Sequence, residues 1–164
     1  MIKHLDNKSN KGETQMLKKI KKLKISASKG GFRCPKPNEI EKQSITIKSN
    51  GQVWWKATRT LTIEEQKKGF SNNGVKITEY KNIGKKKAEE ILIRAEEVLK
   101  NNIDTKFKTL ICDACPDEIY IMYEDNEVLF GQLIDLTDSL DEIEAFYDYL
   151  SEELLIENLL FFDN

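Results

Sequence analysis

Cys112 and Cys115 are the residues best suited by type and spacing to do chemistry. In Cys112-Asp-Ala-Cys115 the two-residue gap lets both thiolates face one metal ion from a single turn. A structural zinc site needs four ligands, and Cys34 and His4 are the residues that would complete a Cys3His set. His4 lies in a polar, basic opening stretch, and there is no second cysteine pair. The expectation is therefore free thiols and no cofactor. A thioredoxin-like use of the pair would need it at the start of a helix in a βαβ unit, and strand-like sequence follows it here.

Hydrolytic chemistry finds less support. His4 is the only histidine, so no Ser-His-Asp or Cys-His arrangement can be built around a folded one. No phosphate-binding loop and no G-x-G-x-x-G run is present. Carboxylate pairs such as Asp113/Asp117 or Glu124/Asp125 have the chemistry to hold Mg²⁺ or move protons. With 28 acids in the chain, such pairs also arise by chance. The chain reads as a non-enzymatic protein.

Charge is the strongest signal. The net charge of −2 hides a segregation: residues 1–108 hold all 26 bases and 12 of the 28 acids, or +14, and residues 109–164 hold the other 16 acids and no base, or −16. Such segregation speaks to partners and association rather than to fold. In the acidic part, Ser139–Leu155 has helical spacing, with Ser139 and Glu142 placed for a capping box. Ile143, Phe146, Tyr147, Leu150 and Leu154 form its apolar face. Asp141, Glu144, Asp148 and Glu152 form a narrow stripe with neighbours about 5–6 Å apart. Asp138 and the turn residues Glu124, Asp125 and Glu127 would extend this into a polyanionic ridge, with Tyr149 as an aromatic anchor.

A ridge of this kind resembles a nucleic-acid backbone in charge spacing. The leading expectation is an inhibitor or immunity-type factor, comparable with anti-CRISPR proteins. It would block a basic, nucleic-acid-handling site on a target protein such as a nuclease. The alternative is direct nucleic-acid binding through Lys18, Lys19, Lys21 and Lys22 with Lys85, Lys86 and Lys87. The bland alternative is a solvated acidic helix in a structural domain.

The elements that must position these residues follow from periodicity. Residues 1–22 read as a basic arm or short helix, with Met16, Leu17, Ile20 and Leu23 on one side, and residues 23–164 as one α+β domain. Leu23, Ile25 and Ala27 alternate as a strand. Asn50-Gly51 between Ser44–Lys48 and Val53–Thr58 predicts a hairpin with a type I′ turn. Trp54 and Trp55 then point to opposite faces, one in the core and one outside. Thr62-Ile-Glu-Glu opens either a helical turn or a loop. Val75–Ile83 reads as a strand and Lys85–Asn101 as a helix, its apolar face running from Ala88 to Leu99. Phe107–Cys112, Glu118–Tyr123 and Glu127–Leu133 read as strands. The last two form a hairpin whose apolar sequence predicts a central place under a helix. The sum is a mostly antiparallel sheet of about five or six strands with two helices on one face.

Gly30-Gly-Phe32, Pro37-Asn-Glu-Ile-Glu41, the Ile45-Thr-Ile run before Asn50-Gly51 and the closing Leu160-Phe-Phe-Asp-Asn164 form a pattern over roughly residues 25–164. The pattern resembles a group of small proteins of Gram-positive bacteria with no known function. The resemblance implies an α+β domain and brings no activity or site residues. Cys112–Cys115 and the lysine-rich arm lie outside it. The opening residues lack the apolar segment of a secretory signal, no stretch reaches the length of a membrane span, and three cysteines are too few for a disulfide framework. The expected location is the cytoplasm.

Overall fold

The computed structural model describes residues 18–29, 34–71, 73–102, 117–133, 140–156 and 159. Six strands form one antiparallel sheet: β1 (Ile20–Ser28), β2 (Ile40–Lys48), β3 (Gln52–Arg59), β4 (Val75–Asn82), β5 (Asp117–Tyr123) and β6 (Val128–Leu133). Their order across the sheet is β4-β3-β2-β1-β5-β6. Three helices accompany them, α1 (Ile63–Lys67), α2 (Lys85–Asn102) and α3 (Leu140–Leu154). The class is α+β, as the sequence predicts, with a third, short helix added.

Alternation builds one buried face. Leu23, Ile25 and Ala27 of β1, Ile45 and Ile47 of β2, Val53, Trp55 and Ala57 of β3, and Ile119, Ile121 and Tyr123 of β5 all point to the helices. There they meet Ala88, Ile91, Leu92, Ala95 and Leu99 of α2, and Ile143, Phe146, Tyr147, Leu150 and Leu154 of α3. The two long helices cover this face because each carries an apolar stripe about as wide as the sheet requires. Leu159 is also buried in this core, so part of the closing apolar segment docks on the body. Polar groups inside are partnered. Trp55 Nε1 donates to Gln43 Oε1 at 3.0 Å, and the Tyr147 hydroxyl donates to Asp117 at 3.0 Å.

Several expectations are corrected. Residues 20–22 of the stretch read as a basic arm or short helix belong to β1, because pairing to β2 and β5 on both sides outweighs a marginal short helix. The ordered sheet therefore begins inside the segment read as an arm. The Asn50-Gly51 hairpin forms, with Ile45 opposite Trp55, but not through a type I′ turn. Gly51 alone takes a positive φ of 96°, and its N–H donates to the Lys48 carbonyl, giving a three-residue loop closed by a left-handed residue. A side chain at Gly51 would also run into the Gly84 backbone at 2.7 Å. Asn126, at φ 65°, closes the β5–β6 loop in the same way. That hairpin is not central. It lies at one edge of the sheet, with β6 outermost. Its inner face is still covered, since Ile119, Ile121 and Tyr123 belong to the core. The Phe107–Cys112 strand, the Ser139 half of the capping box, and Met16 and Leu17 lie outside the described residues.

The helix ends are tied to the sheet. Lys81 of β4 donates to the carbonyls of Leu154 and Leu155, which satisfies the last turn of α3. Thr62 caps α1 in a full capping box with Glu65, which settles the Thr62-Ile-Glu-Glu stretch as a helical turn.

Candidate functional site

Among the described residues, no helix covers the other face of the sheet. Its residues can be read off the strand registers. One row crosses all six strands: Tyr80 opposite Trp54, Trp54 opposite Thr46, Thr46 opposite Lys24, Lys24 opposite Tyr120, and Tyr120 opposite Phe130. On one side of this row Lys22 and Lys48 stand directly opposite each other, with Met122 and Val128 beyond Lys22. On the other side come Lys56, Ser44 and Ser26, followed by Lys76, Thr58, Lys42 and Ser28. The face thus carries Lys22, Lys24, Lys42, Lys48, Lys56 and Lys76. Glu118, opposite Ser26, is the carboxylate this face carries among the described residues.

These lysines differ from the six cations that are ion-paired among the described residues. The ion pairs among described residues tie Lys18, Lys29, Arg59, Lys85, Lys87 and Lys100 to carboxylates. None of the six open-face lysines shares such a pair. Lys48 instead places its ammonium 4.6 Å from the centre of the Trp54 ring. Trp54 and Tyr80 meet at 5.3 Å with their rings tilted by 55°. Lys24, Lys42, Lys56 and Lys76 line an open depression of about 780 Å³ together with Ser26, Ser44 and the Glu118 carboxylate. A smaller one, about 290 Å³, lies beside it between Lys22, Lys24, Glu118, Tyr120 and Phe130. Opposed like charges cost a sheet stability, and Lys22 stands opposite Lys48 with no ion-pair partner for either among the described residues.

Sequence reasoning did not single out Lys42, Lys48, Lys56 or Lys76, and it met Lys24 only as the end of the Met16–Lys24 run. The signal was present as period-two alternation: Lys22-x-Lys24-x-Ser26, Lys42-x-Ser44-x-Thr46-x-Lys48, Trp54-x-Lys56-x-Thr58 and Lys76-x-Thr78-x-Tyr80. Each strand supplies one or two cations, so no run appears. The runs that do appear are dispersed. Lys22 reaches the open face, but Lys85, Lys86 and Lys87 open α2 in the helix layer, behind the sheet. Lys87 there binds Glu153 of α3 at 2.6 Å, and Lys85 lies 3.7 Å from Glu89. Lys18 is held between Asp125, at 3.3 Å, and Glu127, whose hydrogen bond raises the ammonium pKa most. Lys19 and Lys21 are exposed.

The acidic residues divide as well. Asp148 and Glu152 are exposed one turn apart on α3, with Glu144 half-buried one turn earlier. Asp141 lies in α3, and Asp138 falls outside the described residues. Tyr149 is not an exposed anchor. It is half-buried, with the Arg94 guanidinium 4.2 Å from its ring centre, and burial raises its hydroxyl pKa. Glu124 is exposed, while Asp125 and Glu127 are partnered by Lys18. The Glu127 backbone N–H, followed by Lys18, holds the Asp125 carboxyl below its ordinary range.

Cys34 is exposed and free, and Cys112, Cys115 and His4 lie outside the described residues. Among the described residues no three His, Cys, Asp or Glu side chains are grouped to hold a metal ion. No helix among them is long and apolar enough to cross a membrane. No protein-family model matches the chain, and no curated protein is significantly similar to it.

Proposed function

We propose that this protein binds nucleic acid through the open face of its sheet and performs no covalent chemistry. The observation that carries this reading is the set of six lysines on one face, without carboxylate partners among the described residues, in a chain that has more acids than bases. A polyanion would offset the repulsion between these lysines and release its own counterions on binding. The chain also carries acids that could have neutralised the face, yet the ion pairs among the described residues lie elsewhere. The nucleic-acid alternative drawn from the sequence is thereby kept, and its site moves from the α2 lysines to the sheet.

The test is binding of labelled oligonucleotides as a function of salt. Each lysine that meets a phosphate contributes about 0.7 to the log–log salt slope for a single strand and about 0.9 for a duplex. Reversing Lys24 and Lys56 together (Lys24→Glu, Lys56→Glu) should weaken binding at least about hundredfold and flatten the slope by about 1.5–2. Reversing Lys85 and Lys86 instead should change it less than about threefold. Equal effects of the two double variants would sink the assignment to the sheet.

A second reading rests on α3, where Asp148 and Glu152 stand exposed on a helix without a base. In it, this acidic surface occupies a basic site on another protein, as an inhibitor or immunity-type factor does. Salt-sensitive capture of a partner that is lost with Asp148→Lys and Glu152→Lys, and kept with the sheet variants, would favour it over the sheet.

A further inference from the structure

Resting on that reading, we infer that the ligand of the open face is a single strand whose unpaired bases stack on the aromatic row, while its phosphates meet the lysines on either side. Charge alone does not distinguish a duplex, a single strand or an acidic polymer. The aromatic side chains do. Tyr80 and Phe130 are 54% and 50% exposed, at opposite ends of one register row. Each has an aromatic neighbour on the adjacent strand, Trp54 beside Tyr80 and Tyr120 beside Phe130. Large rings left in water at both edges of a face whose other residues are mostly Lys, Ser and Thr, with Met122, Val128 and Glu118 near the β5–β6 edge, are costly unless something covers them.

The row has the dimensions for this. Neighbouring strands are about 4.8 Å apart, so Trp54 on β3 and Tyr120 on β5 are separated by about 14 Å. Lys24 stands between them, the larger depression lies to one side of the row, and the smaller one lies between Lys24 and the Tyr120–Phe130 pair. A chain crossing the sheet perpendicular to its strands would meet an aromatic pair, a cationic stretch and a second aromatic pair in turn. The bases of a duplex are stacked on one another and turned inward, so rings on a broad sheet reach only its backbone. A single strand exposes base faces, which aromatic side chains accept with little regard to sequence. The Lys48 ammonium over Trp54 marks the ring as a surface that already attracts a cation–π partner. On binding, a base takes the ring and the ammonium turns to a phosphate.

The experiment uses the full chain and an end-labelled oligothymidylate of about fifteen nucleotides, within the range bound by single-strand binding folds. Its duplex with oligoadenylate, heparin and polyglutamate serve as competitors. The single strand should bind at least about tenfold tighter than the duplex. Tyr80→Leu and Phe130→Leu should each weaken single-strand binding about five- to tenfold and leave duplex binding unchanged. The two substitutions lie at opposite edges, so either alone tests the point should the other fail to fold. Tryptophan emission supplies an independent readout. Oligothymidylate should quench it in the parent protein, and Trp54→Phe should abolish the quench while buried Trp55 keeps emitting. Equal affinity for duplex, heparin and single strand, with no effect of the aromatic variants, overturns stacking and leaves the polyanion reading standing. Binding of polyglutamate without any oligonucleotide overturns both in favour of an acidic protein partner. Failure to bind any polyanion at low salt overturns both outright.

Discussion

Trp54 and Trp55 are consecutive in β3, yet they live in different molecules, chemically speaking. Trp55 is 6% exposed, packed under the helices, and its indole N–H is satisfied by Gln43. Trp54 lies half-buried on the other side, with Tyr80 beside it and the Lys48 ammonium over its ring. The difference extends over the whole sheet. On the helix side, side chains are apolar, and the few polar atoms at its margins have partners, such as Tyr123 donating to Glu96 at 2.5 Å. Burial pushes the Glu96 carboxyl up, but hydrogen bonds from Lys100 and Tyr123 outweigh it and hold it below its ordinary range. On the open side, Lys22 faces Lys48 with no ion-pair partner for either among the described residues. The covered face is organised for stability, and the open face carries a cost that stability does not explain.

The sharpest way to break this comparison is to damage one face and watch the other. Phe146→Ala empties a fully buried site on α3 and should cost about 3–5 kcal/mol in denaturant unfolding. Oligonucleotide affinity measured where the variant is still folded should stay within about twofold, because nothing on the open face is touched. A loss below about 1 kcal/mol would mean that α3 does not seal the core.

The two tryptophans give a smaller but cleaner contrast. Trp55→Phe removes the hydrogen bond to Gln43 inside the core and should destabilise by about 1–2 kcal/mol. Trp54→Phe keeps an aromatic ring on a half-exposed face and should change stability by less than about 0.5 kcal/mol. Equal costs from chemical denaturation would erase the distinction between the faces.

Much of this division was legible in the sequence, and the reasons differ by element. α2 and the apolar face of α3 follow from uninterrupted helical spacing, and the β2–β3 hairpin from alternation on both sides of Asn50-Gly51. The turn type was not legible, because Asn-Gly accepts two loop geometries and strand twist and the Gly84 backbone select between them. The start of β1 was misread because Ile20 and Leu23 satisfy a helical spacing and Lys22 and Lys24 a strand spacing, and only pairing to β2 and β5 decides. The edge position of β5–β6 depends on strand order, which no local pattern encodes. The open face was missed for a related reason. Its lysines come singly or in pairs from four strands and become a site only when register aligns them. The visible run, Lys85–Lys87, drew attention, although the fold sets it behind the sheet and gives Lys87 to Glu153.

The smallest expected effect lies at the end of β3, where the two faces meet the chain's turn into α1. Arg59 grips both carboxylate oxygens of Glu65, at 2.8 and 2.9 Å, while Glu65 also accepts the Thr62 backbone N–H. The Arg59 hydrogen bond, then the Thr62 N–H, lower the Glu65 pKa from its ordinary 4.5 to about 2. Because the folded value is depressed, the contribution is fully present above the unfolded value and fades as acid protonates the folded carboxylate. Glu65→Gln should therefore melt slightly below the parent protein above about pH 5. The gap should narrow from about pH 4.5 and vanish near pH 2. The pair is partly exposed, so the gap should also shrink as salt is added. Glu65 lies off the open face, so oligonucleotide binding by the folded variant should match that of the parent when both are measured at the same pH. A melting gap that is flat with pH would show that Arg59 and Glu65 do not engage in solution, and that the corner is held by the Thr62 cap and the strand hydrogen bonds alone.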